Sequence, residues 1–192
     1  IDVPACSLNP PDQDGDGNPD RPCTAAASSS RSGKLPEYAF DGLSSEEQIE
    51  FQHSLDGKYY YWHSALSLIS ETNPATLQYG FNSQRPVCSY AITGPVTNDL
   101  LGPKSFKFQG GNFRWLSCTF EGQRLPGNSV CYIEWADLDE QTGIEWTEFQ
   151  RRVFSVPEEN WTDEFGAAYQ FYQVKITDVE RQNFGVEIAE FE

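Results

Sequence analysis

The spacing of turn residues limits the fold of this chain more than any other feature of its sequence. Beyond Asp56 and Gly57, short runs rich in Tyr, Phe, Val, Ile and Thr are interrupted by Asn, Gly or Pro at intervals of about ten residues. No βα unit repeats along the chain, which excludes a doubly wound α/β fold. The pattern predicts an all-β sandwich over residues 35–192.

Apolar side chains alternate along the predicted strands, as they do when one face of a sheet is buried. Phe106 and Phe108 share one face, and residues 110–112, Gly-Gly-Asn, are predicted to form the turn that follows. Five further strands are predicted, over residues 113–120, 130–136, 144–154, 169–179 and 185–191. In the strand 169–179, one face carries Tyr172, Val174 and Ile176.

Two irregular segments precede the predicted sandwich. The first contains five prolines, which forbid a helix or a central strand, and is predicted to be a loop module. The second, rich in Ala and Ser, has no apolar period and is interpreted as a flexible linker. The predicted organisation is a loop over residues 1–23, a linker over residues 24–34 and a sandwich domain over residues 35–192.

One short helix is expected over residues 46–53, because Ser44 and Glu47 have the spacing of a capping box.

Charge and motif content exclude several functional classes. The chain has 13 Lys and Arg against 29 Asp and Glu, a formal net charge of -16. Nucleic acids and anionic membranes bind basic surfaces, so neither is an expected partner. No apolar run approaches the roughly 18 residues of a membrane span.

The motifs of serine hydrolases, zinc metalloproteases and nucleotide-binding proteins are absent, which favours a binding protein over an enzyme.

Several features are typical of a secreted, extracellular protein. The chain begins at Ile1 and contains no Met, which we interpret as a mature form whose signal peptide has been removed. It has five Cys, a Ser-rich stretch and one glycosylation sequon, at Asn160. We therefore expect an extracellular glycoprotein.

The five cysteines permit two local disulfides. Cys6 and Cys23 bracket the acidic loop. Cys118 and Cys131 lie on the inner faces of two successive predicted strands. Both pairings are predicted, and Cys88 is then left over. Its expected place is the core, where free cysteine usually lies as a small apolar side chain.

The strongest motif is the acidic loop near the start of the chain. Four carboxylates occupy loop positions 1, 3, 5 and 9, and Gly17 at position 6 permits a sharp turn. The predicted Ca²⁺ ligands are the carboxylates of Asp12, Asp14, Asp16 and Asp20 and the carbonyl oxygen of Asn18. Because carboxylates this close repel one another without a cation, we expect the loop to become ordered when Ca²⁺ binds. The alternative is a solvated acidic turn.

This loop is not an EF-hand, because prolines on both sides forbid flanking helices and Cys23 occupies position 12. The run from Cys6 to Cys23 resembles instead the thrombospondin type 3 repeat, a helix-free calcium loop closed by disulfides. In this sequence Cys23 follows Asp20 by three residues, one more than is usual in that repeat. The resemblance implies calcium-dependent rigidity and an adhesion context rather than catalysis.

The second half of the sequence carries another resemblance. Residues 100–106, Leu-Leu-Gly-Pro-Lys-Ser-Phe, are similar to a Leu-x-Ser-Phe phrase that opens one strand. A last strand closes the domain with an acid before two apolar residues, here Glu187 in a place usually held by Asp. These features resemble the jelly-roll domains of small secreted fungal proteins, related in shape to galactose-binding-like carbohydrate modules. The resemblance implies a jelly-roll fold and sugar binding.

Aromatic residues in two places are candidates for contact with a sugar. In a strand over residues 59–62, neighbouring side chains point to opposite faces, so one alternate pair would be exposed. Exposed flat rings can stack on pyranose faces, and Trp146, between two glutamates, offers another. The candidate ligand-binding residues are Tyr59, Tyr61 and Trp146. The alternative is that the packed layers of the sandwich bury all of these rings.

The sequence therefore predicts a secreted, calcium-stabilised jelly-roll sandwich that binds an extracellular or cell-wall polysaccharide. One alternative is an adhesion or host-interaction factor that binds a surface protein without catalysis. A second is a weak glycosidase or lyase that uses two of the acids crowded between Glu134 and Glu148. The two histidines, His53 and His63, are interpreted as surface or internally satisfied residues rather than bases.

Overall fold

The computed structural model describes residues 24–40, 60–66, 68–97, 99–114, 132–162, 164 and 166–192. Within these residues lie ten strands: β1 (Thr24–Ala27), β2 (Trp62–His63), β3 (Ala75–Val87), β4 (Ser89–Thr93), β5 (Pro103–Arg114), β6 (Tyr132–Gln141), β7 (Arg151–Ser155), β8 (Ala167–Val179), β9 (Glu187–Ile188) and β10 (Glu190–Phe191). Short 3₁₀ helices lie at Pro36–Phe40, Asp99–Leu101 and Glu158–Asn160. None of the described helices is long and apolar enough to cross a membrane.

The strands form two packed layers. One layer is a five-stranded antiparallel sheet in the order β1-β3-β8-β5-β6. The other contains the three-stranded sheet β10-β4-β7 and the two-stranded ribbon β2-β9. Only Ala189 separates β9 from β10, so the last segment of the chain joins the ribbon to the three-stranded sheet.

The core lies between these layers. Tyr90 of β4 stacks on Phe108 of β5 with ring centroids 4.1 Å apart, and Phe106 of β5 meets Phe154 of β7 edge-on at 5.5 Å. Burial of each such ring stabilises the fold by roughly 1.5–3 kcal/mol. The face of β8 that was predicted to be apolar is buried in the same core, with Tyr172, Val174 and Ile176. The all-β sandwich predicted from the sequence is confirmed.

Residues 24–34 belong to the sandwich, so their interpretation as a flexible linker is wrong. β1 forms one edge of the five-stranded sheet through four pairs with β3. Just beyond it, the Trp62 indole Nε1 donates hydrogen bonds to the Ser29 carbonyl and the Ser30 hydroxyl, both at 3.1 Å. Ala25 and Ala27 of β1 also pack against the core, but three successive alanines show no alternation of apolar and polar residues, so the sequence does not indicate this strand.

The turn predicted at residues 110–112 is also wrong, because these residues lie inside β5. A Cβ atom on Gly110 would stand 2.3 Å from the ring of Tyr169. Glycine is needed here because a neighbouring side chain covers the backbone, not because the chain turns. The strand predicted over residues 144–154 begins only at Arg151.

Several predicted features lie outside the described residues. They are the calcium loop with Asp12, Asp14, Asp16, Asn18 and Asp20, the helix over residues 46–53, Tyr59, and the disulfides Cys6–Cys23 and Cys118–Cys131. Cys88 is described, and it is a free, exposed thiol. Its expected place in the core is wrong, because it forms the one-residue connection between β3 and β4 rather than part of either strand.

Candidate functional site

Two of the three predicted sugar-binding rings are described, and both are buried. Tyr61 is 2 % exposed and its neighbour Trp62 is 0 % exposed, so this run does not alternate between core and solvent. Trp146 is 6 % exposed, and its indole Nε1 donates a hydrogen bond to the Pro103 carbonyl at 2.8 Å. The prediction that Tyr61 and Trp146 bind sugar is wrong, because both rings pack inside the protein.

Asn160, the predicted glycosylation site, ends a 3₁₀ helix and is half-buried. Its Nδ2 donates a hydrogen bond to the Leu138 carbonyl at 2.9 Å. An amide nitrogen carries two protons, and an N-linked glycan replaces only one of them. The hydrogen bond to Leu138 is therefore compatible with glycosylation.

A pocket of about 330 Å³ opens where three connections between strands meet beside β2 and β9. One connection follows β1, one joins β4 to β5, and one joins β8 to β9. We call this cavity the Phe184 pocket, after the aromatic residue in its wall. Its lining residues are Arg31, Lys34, His63, Thr97, Leu101, Arg181, Phe184 and Glu187.

The floor of the Phe184 pocket is a buried pair of side chains from β2 and β9. His63 Nδ1 lies 2.9 Å from Glu187 Oε1, and the two side chains are 5 % and 1 % exposed. The Thr97 backbone N–H donates to Glu187 Oε2 at 3.0 Å, and the Thr97 hydroxyl donates to Oε1 at 2.7 Å. Burial alone would raise the pKa of Glu187, but the hydrogen bonds from His63 and Thr97 lower it below its usual value. Glu187 is therefore a fixed carboxylate at neutral pH.

The backbone carbonyl of Phe184 connects the wall of the pocket to its floor. It accepts hydrogen bonds from His63 Nε2 at 2.7 Å and from Arg31 Nη2 at 2.8 Å. The residues on either side of Phe184 have left-handed backbones, with φ of 73° at Asn183 and 87° at Gly185. Asn and Gly are the residues that adopt this conformation most readily. This local backbone turns the Phe184 ring outward while its carbonyl points inward.

The Phe184 ring forms an aromatic surface at the mouth of the pocket. It is 42 % exposed, and the guanidinium carbon of Arg181 lies 4.0 Å from its centroid. At this distance a cation is attracted to the face of the ring. Arg181 itself is exposed, so its N–H groups remain available at the rim.

A second cation lies deeper in the pocket. Lys34 is half-buried, with its Nζ atom 3.9 Å from the ring centroid of Tyr61. Burial is the main cause that lowers the pKa of Lys34; the Glu187 carboxylate opposes this effect and Arg31 adds to it. Tyr61, predicted to bind sugar directly, thus supports a lysine of the pocket instead.

This arrangement suits binding rather than proton transfer. Both ring nitrogens of His63 already face oxygen atoms, and the Glu187 carboxylate is held below the surface. In the part of the chain that the structure describes, no group of three or more His, Cys, Asp or Glu side chains could hold a metal ion. What the pocket offers to a ligand is one aromatic face surrounded by N–H donors, as in many small-molecule sites.

The residues of the Phe184 pocket show no recognisable pattern in the sequence. Arg31 and Lys34 lie in the segment predicted to be a linker, and Phe184 lies in a turn between two predicted strands. His63 is buried beside Glu187 rather than at the surface, and this partner was not foreseen. The one available signal was Glu187, because an acid between the apolar residues of a predicted strand needs a buried partner.

No protein-family model matches the sequence, and no curated protein matches it significantly. Solved structures match it in shape at low identity. Chitosan-binding module 1 of a chitosanase/glucanase from Paenibacillus sp. IK-5 is 17 % identical, with 88 % of this chain and 92 % of that chain covered and a TM-score of 0.52. The family 32 carbohydrate-binding module of NanJ from C. perfringens, in complex with galactose, is 14 % identical, with 88 % and 90 % covered and a TM-score of 0.51. An F5/8 type C domain from Bacteroides fragilis is 8 % identical, with 88 % of each chain covered and a TM-score of 0.52.

These likenesses show the fold. The chain is a jelly-roll β-sandwich of the kind found in family 32 carbohydrate-binding modules and F5/8 type C domains. The jelly roll predicted from the sequence is confirmed.

Proposed function

We propose that this chain is a glycan-binding module and that the Phe184 pocket is its binding site. The observation that carries the proposal is the exposed Phe184 ring beside N–H donors at the mouth of a cavity. An aromatic ring can stack on the apolar face of a pyranose, while the donors bind its hydroxyl groups. The fold adds support, because two structures that share it are a chitosan-binding module and a module in complex with galactose.

The size of the pocket limits the bound part of the glycan. A volume of about 330 Å³ is at the small end of the range of about 300–1,000 Å³ for ligand pockets. We expect one or two sugar units to enter it, as at the end of a glycan or at a side branch. The remainder of a polysaccharide would stay outside the pocket.

The experiment is calorimetric titration of the full chain with soluble galactan, chitosan oligosaccharides and polygalacturonate. Phe184→Ala should weaken binding about fivefold, because loss of a stacked ring costs on the order of 1 kcal/mol. Val153→Ala is the matched control, since Val153 is an exposed hydrophobic residue of β7 that does not line the pocket. A wild-type protein that retains no glycan would overturn the proposal, and unchanged binding by Phe184→Ala would place the site elsewhere.

We also propose a calcium site in the acidic loop before β1, formed by Asp12, Asp14, Asp16, Asn18 and Asp20. The support is the spacing of oxygen ligands along the sequence. Calorimetry with Ca²⁺ should give a binding heat that Asp14→Ala removes. If wild type gives no such heat, the loop is a solvated acidic turn.

We further propose that the chain is secreted, with an N-glycan on Asn160 and two disulfides. Expression through a eukaryotic secretory pathway tests the glycan and the disulfides, and detection of the chain outside the cells that produce it naturally tests secretion. Mass spectrometry of unreduced peptides should join Cys6 to Cys23 and Cys118 to Cys131. A glycan mass should be present on the wild type and absent from Asn160→Gln. A peptide that joins Cys88 to another cysteine would contradict the proposed pairing.

A further inference from the structure

The Phe184 pocket carries the opposite charge from the chain as a whole. The chain has 13 basic and 29 acidic residues. The charged lining of the pocket nevertheless consists of three cations and one carboxylate, namely Arg31, Lys34, Arg181 and Glu187. The carboxylate is 1 % exposed and is already held by the histidine and threonine of the floor. The two arginines of the lining, Arg31 and Arg181, are exposed where a ligand would enter.

We propose that the Phe184 pocket selects sugars that carry an anionic group, a carboxylate or a sulfate ester. This inference rests on the proposed glycan-binding function and names the class of glycan. The sugar ring lies against Phe184, and its anionic group binds the surrounding cations.

The arginines of the pocket have donors to spare for such a group. A guanidinium carries five N–H donors, and Arg31 uses its Nη2 on the Phe184 carbonyl. Among the described residues, neither Arg31 nor Arg181 forms an ion pair. Hydrogen bonds from a guanidinium to an anion are about twice as strong as neutral ones. An anionic sugar therefore gains more here than its neutral counterpart.

Lys34 adds a charge with little access to water. Its ammonium group is half-buried against the Tyr61 ring, and burial lowers its pKa. A cation that has lost part of its hydration gains more from a nearby anion than an exposed one does, because less solvent screens the pair. Lys34 is therefore placed to strengthen the preference that Arg31 and Arg181 create.

The charge of the rest of the chain favours a small anionic ligand over an extended anionic surface. A formal net charge of -16 repels a membrane or a nucleic acid, which would face much of the protein at once. A single acidic sugar contacts only the pocket. An acidic glycan is therefore the anionic ligand that best fits both the local and the overall charge.

The test compares small sugars that differ mainly in charge: galactose, galacturonic acid and sulfated galactose, each titrated into the full chain at fixed salt. We expect at least one anionic sugar to bind about tenfold tighter than galactose, the gain expected from one charge-assisted hydrogen bond. Preference for galacturonic acid would identify the group as a carboxylate, and preference for sulfated galactose would identify a sulfate. Raised salt should reduce the preference.

Charge-removing variants then assign the preference to the pocket. Arg181→Gln and Lys34→Gln should each lower the ratio of anionic to neutral affinity severalfold, with melting temperatures that confirm folding. Lys107→Gln is the matched control. Lys107 lies on β5 with its Nζ atom 2.7 Å from Asp137 Oδ2, and it does not line the pocket. An equal drop of the ratio in Lys107→Gln would overturn the inference.

The wild-type titration separates this inference from the proposed function. Equal affinity for the neutral and anionic sugars would overturn the inference and leave the glycan-binding function standing. Binding neither to these sugars nor to galactan, chitosan oligosaccharides or polygalacturonate would overturn both.

Discussion

His63 and Glu187 are register partners on β2 and β9, and their side chains meet below the Phe184 pocket with Nδ1 2.9 Å from Oε1. The same histidine reaches the carbonyl of Phe184 with its other ring nitrogen, at 2.7 Å. The buried pair thus holds together the two-stranded ribbon and the loop that presents the aromatic ring. A change at this pair should affect stability and binding together.

Replacement of Glu187 by glutamine should lower the free energy of unfolding by about 2–3 kcal/mol at neutral pH, because hydrogen bonds to a charged group, such as those from Thr97 to this carboxylate, are stronger than those to a neutral amide. Because the folded pKa of Glu187 lies below its usual 4.5, the ionised carboxylate stabilises the fold fully above that pH. This contribution is lost as the pH falls from 4.5 through the folded pKa. Urea unfolding of wild type and Glu187→Gln should therefore give a stability difference that shrinks in acid.

Glu192→Gln provides the comparison for this pH dependence. Glu192 pairs with Arg151 at 2.8 Å, and this bond lowers its pKa too, but the pair is partly exposed. Its loss should cost less than about 1 kcal/mol. If the difference between wild type and Glu187→Gln stayed flat from neutral to strongly acidic pH, Glu187 would not be the ionised partner described here.

Gly185→Ala should disable the pocket by displacing the loop that carries Phe184. Gly185 has φ of 87°, and a Cβ atom would stand 2.3 Å from the Ser64 carbonyl oxygen and 3.0 Å from His63 Nε2. The left-handed backbone alone costs an alanine about 1–2 kcal/mol. The clash adds to that cost, so we expect a larger loss of stability together with loss of glycan affinity.

Gly143→Ala separates the two contributions. Gly143 has φ of 68°, but nothing lies within 4 Å of the position of an added Cβ atom. Gly143→Ala should lose only the stability that the left-handed backbone costs an alanine, and it should keep full affinity for glycan. Urea unfolding and glycan titration of both variants check this, and equal losses in the two would show that the clash at Gly185 relaxes freely.

Trp146→Ala should destabilise the fold by about 3–5 kcal/mol without changing the affinity of the folded protein for glycan. Cβ atoms on Gly94 and Gly102 would stand 2.6 Å and 2.4 Å from Trp146 atoms, so the two glycines leave room for this side chain. Phe184→Ala should show the reverse, with a stability change within about 0.5 kcal/mol and weakened binding. Thermal melts and titrations of the pair decide the matter, and weakened binding in folded Trp146→Ala would restore this ring as a ligand contact.

The sandwich could be predicted because its signal is local. Phe106 and Phe108, or Val174 and Ile176, lie two residues apart, and this alternation alone identifies a strand with one face in the core. Gly110 and Gly111 of β5 were predicted to form a turn, because the sequence does not distinguish a glycine of a turn from a glycine that leaves space for a neighbouring side chain. Gly110 makes room for Tyr169, and Gly111 makes room for Ile133 and Trp135, all of which are distant in sequence.

The pocket could not be predicted because none of its contacts is local. Arg31 meets the carbonyl of Phe184 across almost the whole described chain. The pairing that brings them together, β2 with β9, involves two residues on each strand. So short a pairing leaves no periodic pattern. In the sequence, the two exposed arginines and the half-buried lysine that give the pocket its charge cannot be distinguished from ordinary surface residues.

Truncation at two positions tests whether residues 24–34 are a linker or part of the domain. Removal of residues 1–23 deletes the proposed calcium loop but keeps β1, so glycan affinity should persist and stability in the absence of Ca²⁺ should change little. Removal of residues 1–34 also deletes β1 and two cations of the pocket.

The longer deletion should cost about 2–4 kcal/mol, because hydrogen bonds are worth about 1 kcal/mol each and a buried donor left without a partner costs about 1–3 kcal/mol. That donor is Trp62 Nε1, which is bonded to Ser29 and Ser30 in the intact domain. Preference for anionic glycans should disappear along with Arg31 and Lys34. Urea unfolding and titration of both truncated chains give the answer, and equal stability and equal preference in the two would mean that residues 24–34 act as the linker that their composition indicates.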